Sequence, residues 1–130
     1  MSPDFVLMPA SASAADALAA VRASEIEPEL LTAVFVSSAE GPLAGSIPIT
    51  ALLRAEPARR LEKEVKHEIP CLSPDASFEE VARLMADYNL TSIPVVDESK
   101  RMVGVVTVDD VLEAMLPRGW RRRFGLLGED

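Results

Sequence analysis

The segment GVVTVDDVLEAM, residues 104–115, places a hydroxyl and a carboxylate where an apolar strand turns into an amphipathic helix. Thr107 stands at the N-cap position of that helix and Asp110 at its third residue, and both residue types are favoured there. The same side chains lie at a helix N-terminus just after Gly104, where a backbone can approach a ligand closely. Because a carboxylate accepts two hydrogen bonds, it suits the paired hydroxyls of a ribose. The pair therefore indicates a helix cap, a ligand site, or both.

Acidic residues also begin the predicted helices of this half of the chain. Asp110 and Glu113 share a helix face, and Glu79 lies in the first turn of the other helix. Mg²⁺ prefers oxygen ligands and retains several waters, so two carboxylates from two elements or two subunits would suffice. The alternative is a solvated helix start with its usual preference for acids. Glu79, Asp110 and Glu113 are the candidate metal ligands.

No residue pattern favours catalysis. The single cysteine, Cys71, matches an apolar strand position, Val6, and is expected to be a small buried residue. His67 has no second histidine or cysteine at zinc-ligand spacing, so we expect a solvated linker residue. Phosphate-binding glycine loops, nucleophile elbows and plausible triads do not occur in the sequence. We expect no enzyme activity, and one cysteine excludes an intrachain disulfide.

Composition describes an ordinary globular protein. The chain has 130 residues, of which 48% are hydrophobic and 26% charged, and its formal net charge is -8. That charge argues against nucleic-acid binding, because phosphates repel it. The longest uncharged run, residues 41–53, is too short to span a bilayer, and the first residues lack a signal-peptide pattern. We expect a cytoplasmic chain, either whole or the soluble part of something larger.

One basic segment stands out in this acidic chain, PRGWRRRFGLL at residues 117–127. Trp120 and Phe124 are four residues apart and are flanked by arginines. The segment suits docking on an acidic partner surface, an anionic membrane or ligand phosphates. The alternative is a terminus that covers the chain's own acidic face.

The elements that position these residues occur twice. AVFVSSAEGPLAG (residues 33–45) matches SIPVVDESKRMVG (residues 92–104), which makes Ala33 equivalent to Ser92. ADALAAV matches EEVARLM at a slightly larger offset, which makes Ala15 equivalent to Glu79. The second copy predicts a capped helix over 77–88, strands at 92–96 and 101–107, and a closing helix over 108–115. Since both strands are almost wholly apolar, we expect them to be covered on both faces.

The first copy predicts the same order of elements. A strand near residues 5–8 precedes a helix over 13–25, strands at 33–37 and 43–47, and a short helix from Thr50. The segment 55–70 links the copies, and Leu61 and Val65 within it have helical spacing. The chain is therefore α/β (α+β), with two βαββα repeats packed with pseudo-twofold symmetry. We divide it into repeat 1 with a linker helix (1–65), repeat 2 (66–117) and a basic tail (118–130).

Two βαββα units that end in a turn of the form G-h-x-T-x-x-D resemble a tandem CBS-domain pair, also called a Bateman module. The motif is intact at residues 104–110, and EEVARLMADYNLTSIPVVDESKRMVGVVTVDDVLEAM is similar to the second CBS domain of MgtE-type magnesium transporters. That resemblance implies a regulatory module that binds an adenine nucleotide (ATP, ADP or AMP), Mg²⁺ or both. It also implies that Thr107 and Asp110 contact ribose, and that Ile93 and Pro94 form an apolar wall for adenine.

The chain departs from the family at three places. The first copy reads GSIPITA at residues 45–51, where proline replaces the threonine and alanine the aspartate, so we expect one nucleotide site per chain. Asn89 and Ser77 stand where the transporters tend to carry acids, so any Mg²⁺ binding is expected to be millimolar or weaker.

The resemblance further implies a homodimer through the CBS helices, attached to or acting on a membrane transporter without itself spanning the membrane. Ligand binding would shift the dimer between arrangements. The alternative function is a ligand-free dimerisation or protein-interaction module.

Overall fold

The computed structural model describes residues 1–88 and 90–116. Asn89 and the basic tail lie outside the described residues. The elements follow in chain order: β1 (Leu7–Pro9), α1 (Ala14–Ala23), β2 (Ala33–Ser37), β3 (Leu43–Pro48), α2 (Ile49–Arg54), a 3₁₀ turn (Leu61–Lys63), α3 (Phe78–Tyr88), β4 (Ser92–Val96), β5 (Met102–Thr107) and α4 (Val108–Met115). This mixed α+β architecture confirms the predicted fold class.

Each repeat is built on a small sheet. In the first repeat β1 pairs in parallel with β2, and β2 pairs antiparallel with β3. In the second repeat β4 pairs antiparallel with β5, and the predicted first strand is reduced to a bridge between Leu72 and Val95. Pro70 and Pro74 flank that bridge, and proline has no N–H to donate to a sheet ladder. The prediction of a full strand there was wrong for this reason.

The two repeats correspond contact by contact. The β-bulge at Val36/Ser37 recurs at Val95/Val96, the positions that the match between the copies makes equivalent. The pairing of Met8 with Val36 recurs as that of Leu72 with Val95. Two equivalent residues, Thr32 and Thr91, place their Oγ1 atoms 3.3 Å apart. Equivalent side chains that meet each other indicate an approximate twofold axis between the repeats.

Each repeat also receives the chain that precedes the other repeat's sheet. Ser2 and Val105 exchange backbone hydrogen bonds of 2.7 and 2.8 Å, and the equivalent pair, Lys66 and Ser46, exchanges bonds of 2.9 and 3.1 Å. A Cβ on Gly104 would overlap the side chain of Met1, so this glycine makes room for the crossing segment. The expectation that Gly104 admits a ligand is corrected accordingly.

The core has three parts. One cluster lies within the first repeat and includes Val34, Ile47 and Leu52, all 0% exposed. A second lies within the second repeat around Ile93. A third joins the repeats through Phe35, Met102 and Val105. The centre of β2 and most of β4 are buried, as their apolar sequences predict, whereas Val103 of β5 is exposed.

The helices begin and end close to their predicted bounds. Ser13 caps α1 in a reciprocal box with Asp16, with both hydrogen bonds 3.1 Å long. The predicted linker helix is instead a single 3₁₀ turn, because its backbone bonds to the start of α1: Leu61 N–H donates to Ala12 O over 2.9 Å. A backbone that is satisfied by a neighbouring segment does not need the hydrogen bonds of a helix.

Candidate functional site

The intact turn of the second repeat lies where β5 passes into α4. Thr107, the last residue of β5, pairs with Ser92 at the start of β4. The N–H of Val108, the first helical residue, donates to the carbonyl of Thr91 over 2.8 Å. The turn is thus held directly against the segment that enters β4, and Thr107 is only 6% exposed.

Thr107 and Asp110 form a capping box. The Thr107 hydroxyl accepts a hydrogen bond from Asp110 N–H over 3.2 Å, and Thr107 N–H donates to Asp110 Oδ2 over 3.1 Å. These bonds satisfy backbone donors that the helix itself leaves unpaired. The capping interpretation is therefore confirmed. Within the described residues, the Thr107 hydroxyl proton and Asp110 Oδ1 have no other hydrogen-bond partner. Both are therefore available to a ligand.

The equivalent turn of the first repeat holds its backbone in the same way but lacks the side chains. Ile49 N–H donates to Thr32 O over 3.0 Å, as Val108 does to Thr91. Pro48 occupies the N-cap position of α2 and makes no capping hydrogen bond. The two turns share a backbone and differ in their chemistry.

A cleft of about 340 Å³ opens between the repeats beside the intact turn. Its walls are apolar side chains and hydroxyls, and none of its lining residues is charged: Thr32, Ala33, Phe35, Ser46, Ile69, Pro70, Leu90, Thr91, Ser92 and Pro94. Thr91 and Ser92 both line the cleft and contact the turn. The cleft and the capping box are therefore neighbouring parts of one region.

The two predicted adenine-wall residues lie in different places. Ile93 is 0% exposed in the core of the second repeat, because successive side chains of a strand point to opposite faces. Pro94 lines the cleft. Sequence reasoning did not identify the other wall residues, among them Phe35 and Ile69. Two further wall residues, Thr32 and Thr91, did have a sequence signal, because they are the same residue type at equivalent positions of the two copies.

The predicted metal ligands are not gathered into one site within a chain. Glu79 is exposed near the start of α3, while Asp110 and Glu113 lie on α4. Among residues 1–88 and 90–116, no group of three or more His, Cys, Asp or Glu side chains is close enough to hold a metal ion.

The remaining titratable candidates lie outside the cleft. Cys71 is exposed, so the expectation that it is buried was wrong. Its segment meets the sheet only at Leu72, which leaves the neighbouring cysteine at the surface. Partial desolvation still raises the pKa of the Cys71 thiol. His67 is exposed as expected, with Nδ1 3.2 Å from Ala44 O.

No helix within the described ranges has the length and apolar character needed to cross a bilayer.

Comparisons with known proteins agree with this architecture. Residues 62–117 match the family model of the CBS domain. The magnesium transporter MgtE of Thermus thermophilus is 36% identical over 115 residues, which are 88% of this chain and 26% of that transporter. The MgtE of Bacillus subtilis is 29% identical over 118 residues. The chain spans about a quarter of the length of these curated relatives.

Solved structures show the same fold. The cytosolic domain of the Mg²⁺ channel MgtE, crystallised in complex with ATP, superposes with a TM-score of 0.78 at 34% identity. The alignment covers 88% of this chain and 46% of that one. A CBS domain pair/ACT domain protein from Thermotoga maritima superposes with a TM-score of 0.72 and supports the fold alone, since its identity is 23%. The chain is a tandem CBS-domain pair, similar to the cytosolic CBS region of MgtE-type magnesium transporters.

Proposed function

We propose that this CBS pair is a non-catalytic regulatory module that binds an adenine nucleotide in the cleft beside the intact turn. The observation that carries the proposal is the cleft itself. Its volume of about 340 Å³ falls within the range of about 300–1,000 Å³ usual for small-molecule sites. Apolar walls with a few hydroxyls suit a nucleoside, and the similar MgtE cytosolic domain was crystallised with ATP.

In this proposal the adenine ring packs against Pro94, Phe35 and Ile69, which line the cleft. The ribose hydroxyls meet Thr107 and Asp110, whose capping box leaves one hydroxyl proton and one carboxylate oxygen available. Capping and binding are therefore compatible, because each uses a different atom of the pair. Ile93 keeps a supporting role from the core below the cleft.

One nucleotide per chain is expected. The first repeat presents Pro48 and Ala51 where the second presents Thr107 and Asp110, so it offers no hydroxyl or carboxylate to a ribose. Titration calorimetry with ATP that gives two equivalent sites per chain contradicts this stoichiometry.

We further propose that the module lies in the cytoplasm, binds Mg²⁺ and regulates a magnesium-transport-related protein. The supporting facts are the magnesium transporters among its relatives and the carboxylates of Glu79, Asp110 and Glu113. Since these do not assemble within one chain, two chains of a homodimer would share the ion. Neutralising carboxylates that repel each other shifts the dimer toward a closed arrangement.

A ligand-free dimerisation module is the second candidate. It is favoured by the absence of a charged side chain among the cleft-lining residues, which leaves nucleotide phosphates without a cationic partner there. Apolar side chains exposed on α2 and α4 offer a surface for a second copy: Leu53 is 64%, Leu112 51% and Met115 63% exposed.

Two variants that remove the carboxylate of a capping box separate the candidates. Asp110→Ala and Asp16→Ala both weaken a helix start, and both lower the melting temperature modestly. Of the two, only Asp110 belongs to the turn that contacts the cleft-lining residues Thr91 and Ser92. We expect ATP to raise the melting temperature of the wild type and of Asp16→Ala, and Asp110→Ala to bind ATP at least about tenfold more weakly, a loss of about 1.4 kcal/mol.

Calorimetry gives the affinities and thermal melts without ligand give the structural effect. An unchanged ATP affinity in Asp110→Ala contradicts the proposed ribose contact. No heat and no thermal shift for the wild type at millimolar ATP, AMP and Mg²⁺ supports the ligand-free module instead.

A further inference from the structure

A groove on the second repeat corresponds to one that the linker closes on the first. This open groove measures about 680 Å³ and lies between residues 71–75 and the β4–β5 turn. Leu72, Pro74 and Val96 form its apolar part. Its charged part consists of three carboxylates, Asp75, Asp97 and Glu98, and one ammonium group, Lys100. On the first repeat the equivalent space measures about 310 Å³, and Glu62 and Val65 of the linker line it together with His67, which follows the linker.

The linker, residues 57–65, caps the first repeat in two ways. Its carbonyls accept hydrogen bonds of 2.9 Å from the first amides of α1: Ala14 N–H donates to Arg59 O, and Ala15 N–H to Pro57 O. Its side chain Leu61 is 0% exposed and belongs to the core cluster of the first repeat. The linker therefore pairs orphan donors of the helix start and covers the core beneath them.

Neither feature recurs in the second repeat among the residues that the structure describes. The equivalent amides, Phe78 N–H and Glu79 N–H, have no hydrogen-bond partner within the described part of the chain. Ala14 is 0% exposed, but its counterpart Phe78 is 47% exposed. Ala17 and Leu52 are likewise 0% exposed, whereas their counterparts Val81 and Val111 are each 8% exposed. The second repeat has a site for a covering segment.

We propose that the C-terminal segment, residues 118–124, docks in the open groove of its own chain as the linker docks on the first repeat. The same match that makes Ala33 equivalent to Ser92 sets Trp120 in the place of Leu61 and Phe124 in that of Val65. Both pairs are four residues apart.

Position and charge also support this occupant. The segment follows directly after α4, as the linker follows α2, and the sequence continues from Leu116 to Asp130. It carries four arginines, Arg118, Arg121, Arg122 and Arg123, whereas the charged residues that line the groove are mostly acidic. Because three carboxylates outnumber the one lysine, the net negative charge of the groove attracts the arginine-rich segment.

Trp120 reports on this contact directly because it is the only tryptophan. We expect its emission maximum to lie well to the blue of that in urea, with weak quenching by acrylamide. Phe78→Ser removes the exposed apolar side chain whose counterpart, Ala14, is hydrogen-bonded to the linker, and it should shift the emission to the red and raise quenching severalfold. Tyr88→Ser, at the other end of α3 and 58% exposed, is the matched control and should leave both unchanged.

Hydrogen exchange tests the backbone part of the proposal. Phe78 and Glu79 amides should be protected in the wild type and lose that protection in Trp120→Ala, while Ala14 and Ala15 stay protected in both. A solvent-exposed emission maximum in the wild type overturns the proposal. Emission that turns red on dilution to the monomer assigns the contact to a second copy, which also overturns it.

Discussion

At the scale of single residues, the same type of capping box begins two helices, α1 and α4. Ser13 with Asp16 and Thr107 with Asp110 make the same reciprocal bonds, within 3.1–3.2 Å. Ser13 of the first box pairs with Arg60 of the linker, whereas Thr107 of the second box pairs with Ser92, which lines the cleft. Residue types alone therefore do not distinguish a cap from a binding residue, and the surroundings decide.

The Asp16 box makes stability depend on pH. The backbone N–H of Ser13, followed by its side chain, lowers the pKa of Asp16 below its ordinary value. A carboxylate with a lowered folded-state pKa contributes stability above its unfolded pKa of about 4, and the contribution is lost as pH falls through the folded value. We expect Asp16→Asn to reduce the urea midpoint at pH 7 and to differ less from the wild type at pH 3.

Urea denaturation at both pH values measures this difference. Glu29→Gln, which removes one charge from an exposed loop residue, is the control for net charge. An equal effect of Asp16→Asn at both pH values contradicts the assignment to this hydrogen bond.

At the scale of elements, equivalent parts of the repeats differ where the neighbouring chain differs. Strands β2 and β4 have the same length and the same bulge. Helix α4 is longer than α2 and begins at a threonine cap instead of a proline. The glycines that admit the crossing segments also differ, since Gly45 has φ +157° and faces the backbone of Lys66, while Gly104 faces the flexible side chain of Met1.

This difference predicts unequal effects of the same substitution. Gly45→Ala forces a Cβ into the carbonyl of Lys66 at a φ that alanine rarely adopts, so we expect a loss of more than about 1 kcal/mol in unfolding free energy. Gly104→Ala should lose less, because a Cβ there first meets Cγ and Sδ of the flexible Met1 side chain, and the Ser2 carbonyl is 3.2 Å away. Urea melts of both variants check the order, and a larger loss for Gly104→Ala contradicts it.

At the scale of the whole molecule, the two repeats bury each other's strands and leave helix surfaces open. Leu53 and Leu112 are equivalent residues on α2 and α4, and both are exposed. Large apolar side chains that are exposed at equivalent positions of both repeats suit an interaction surface. They are the basis for the proposed homodimer.

We expect Leu112→Glu to weaken that dimer. Removing the burial of one leucine forfeits about 1.5–3 kcal/mol, which raises the dissociation constant at least about tenfold. Light scattering after size-exclusion chromatography gives the mass as a function of concentration. Val103→Glu, an exposed apolar position on β5, is the matched control. A wild type that stays monomeric at high concentration refutes the dimer itself.

The sequence by itself determined the two copies, their strands, the helix starts and the contrast between an intact and a degenerate turn. These features are local, because caps and apolar periodicity depend on residues only a few positions apart. It also predicted a full first strand for the second repeat, where the structure has a single bridge at Leu72, and a linker helix, where the structure has a 3₁₀ turn.

Only the tertiary structure decided which residues meet between the repeats. It placed Pro94 at the cleft and Ile93 in the core, brought Thr32 to Thr91, and filled the space over Gly104 with Met1. It also kept Glu79, Asp110 and Glu113 from forming one site within the described chain. These outcomes depend on how two distant sheets face each other, and no local pattern encodes the position of a residue so far away along the chain.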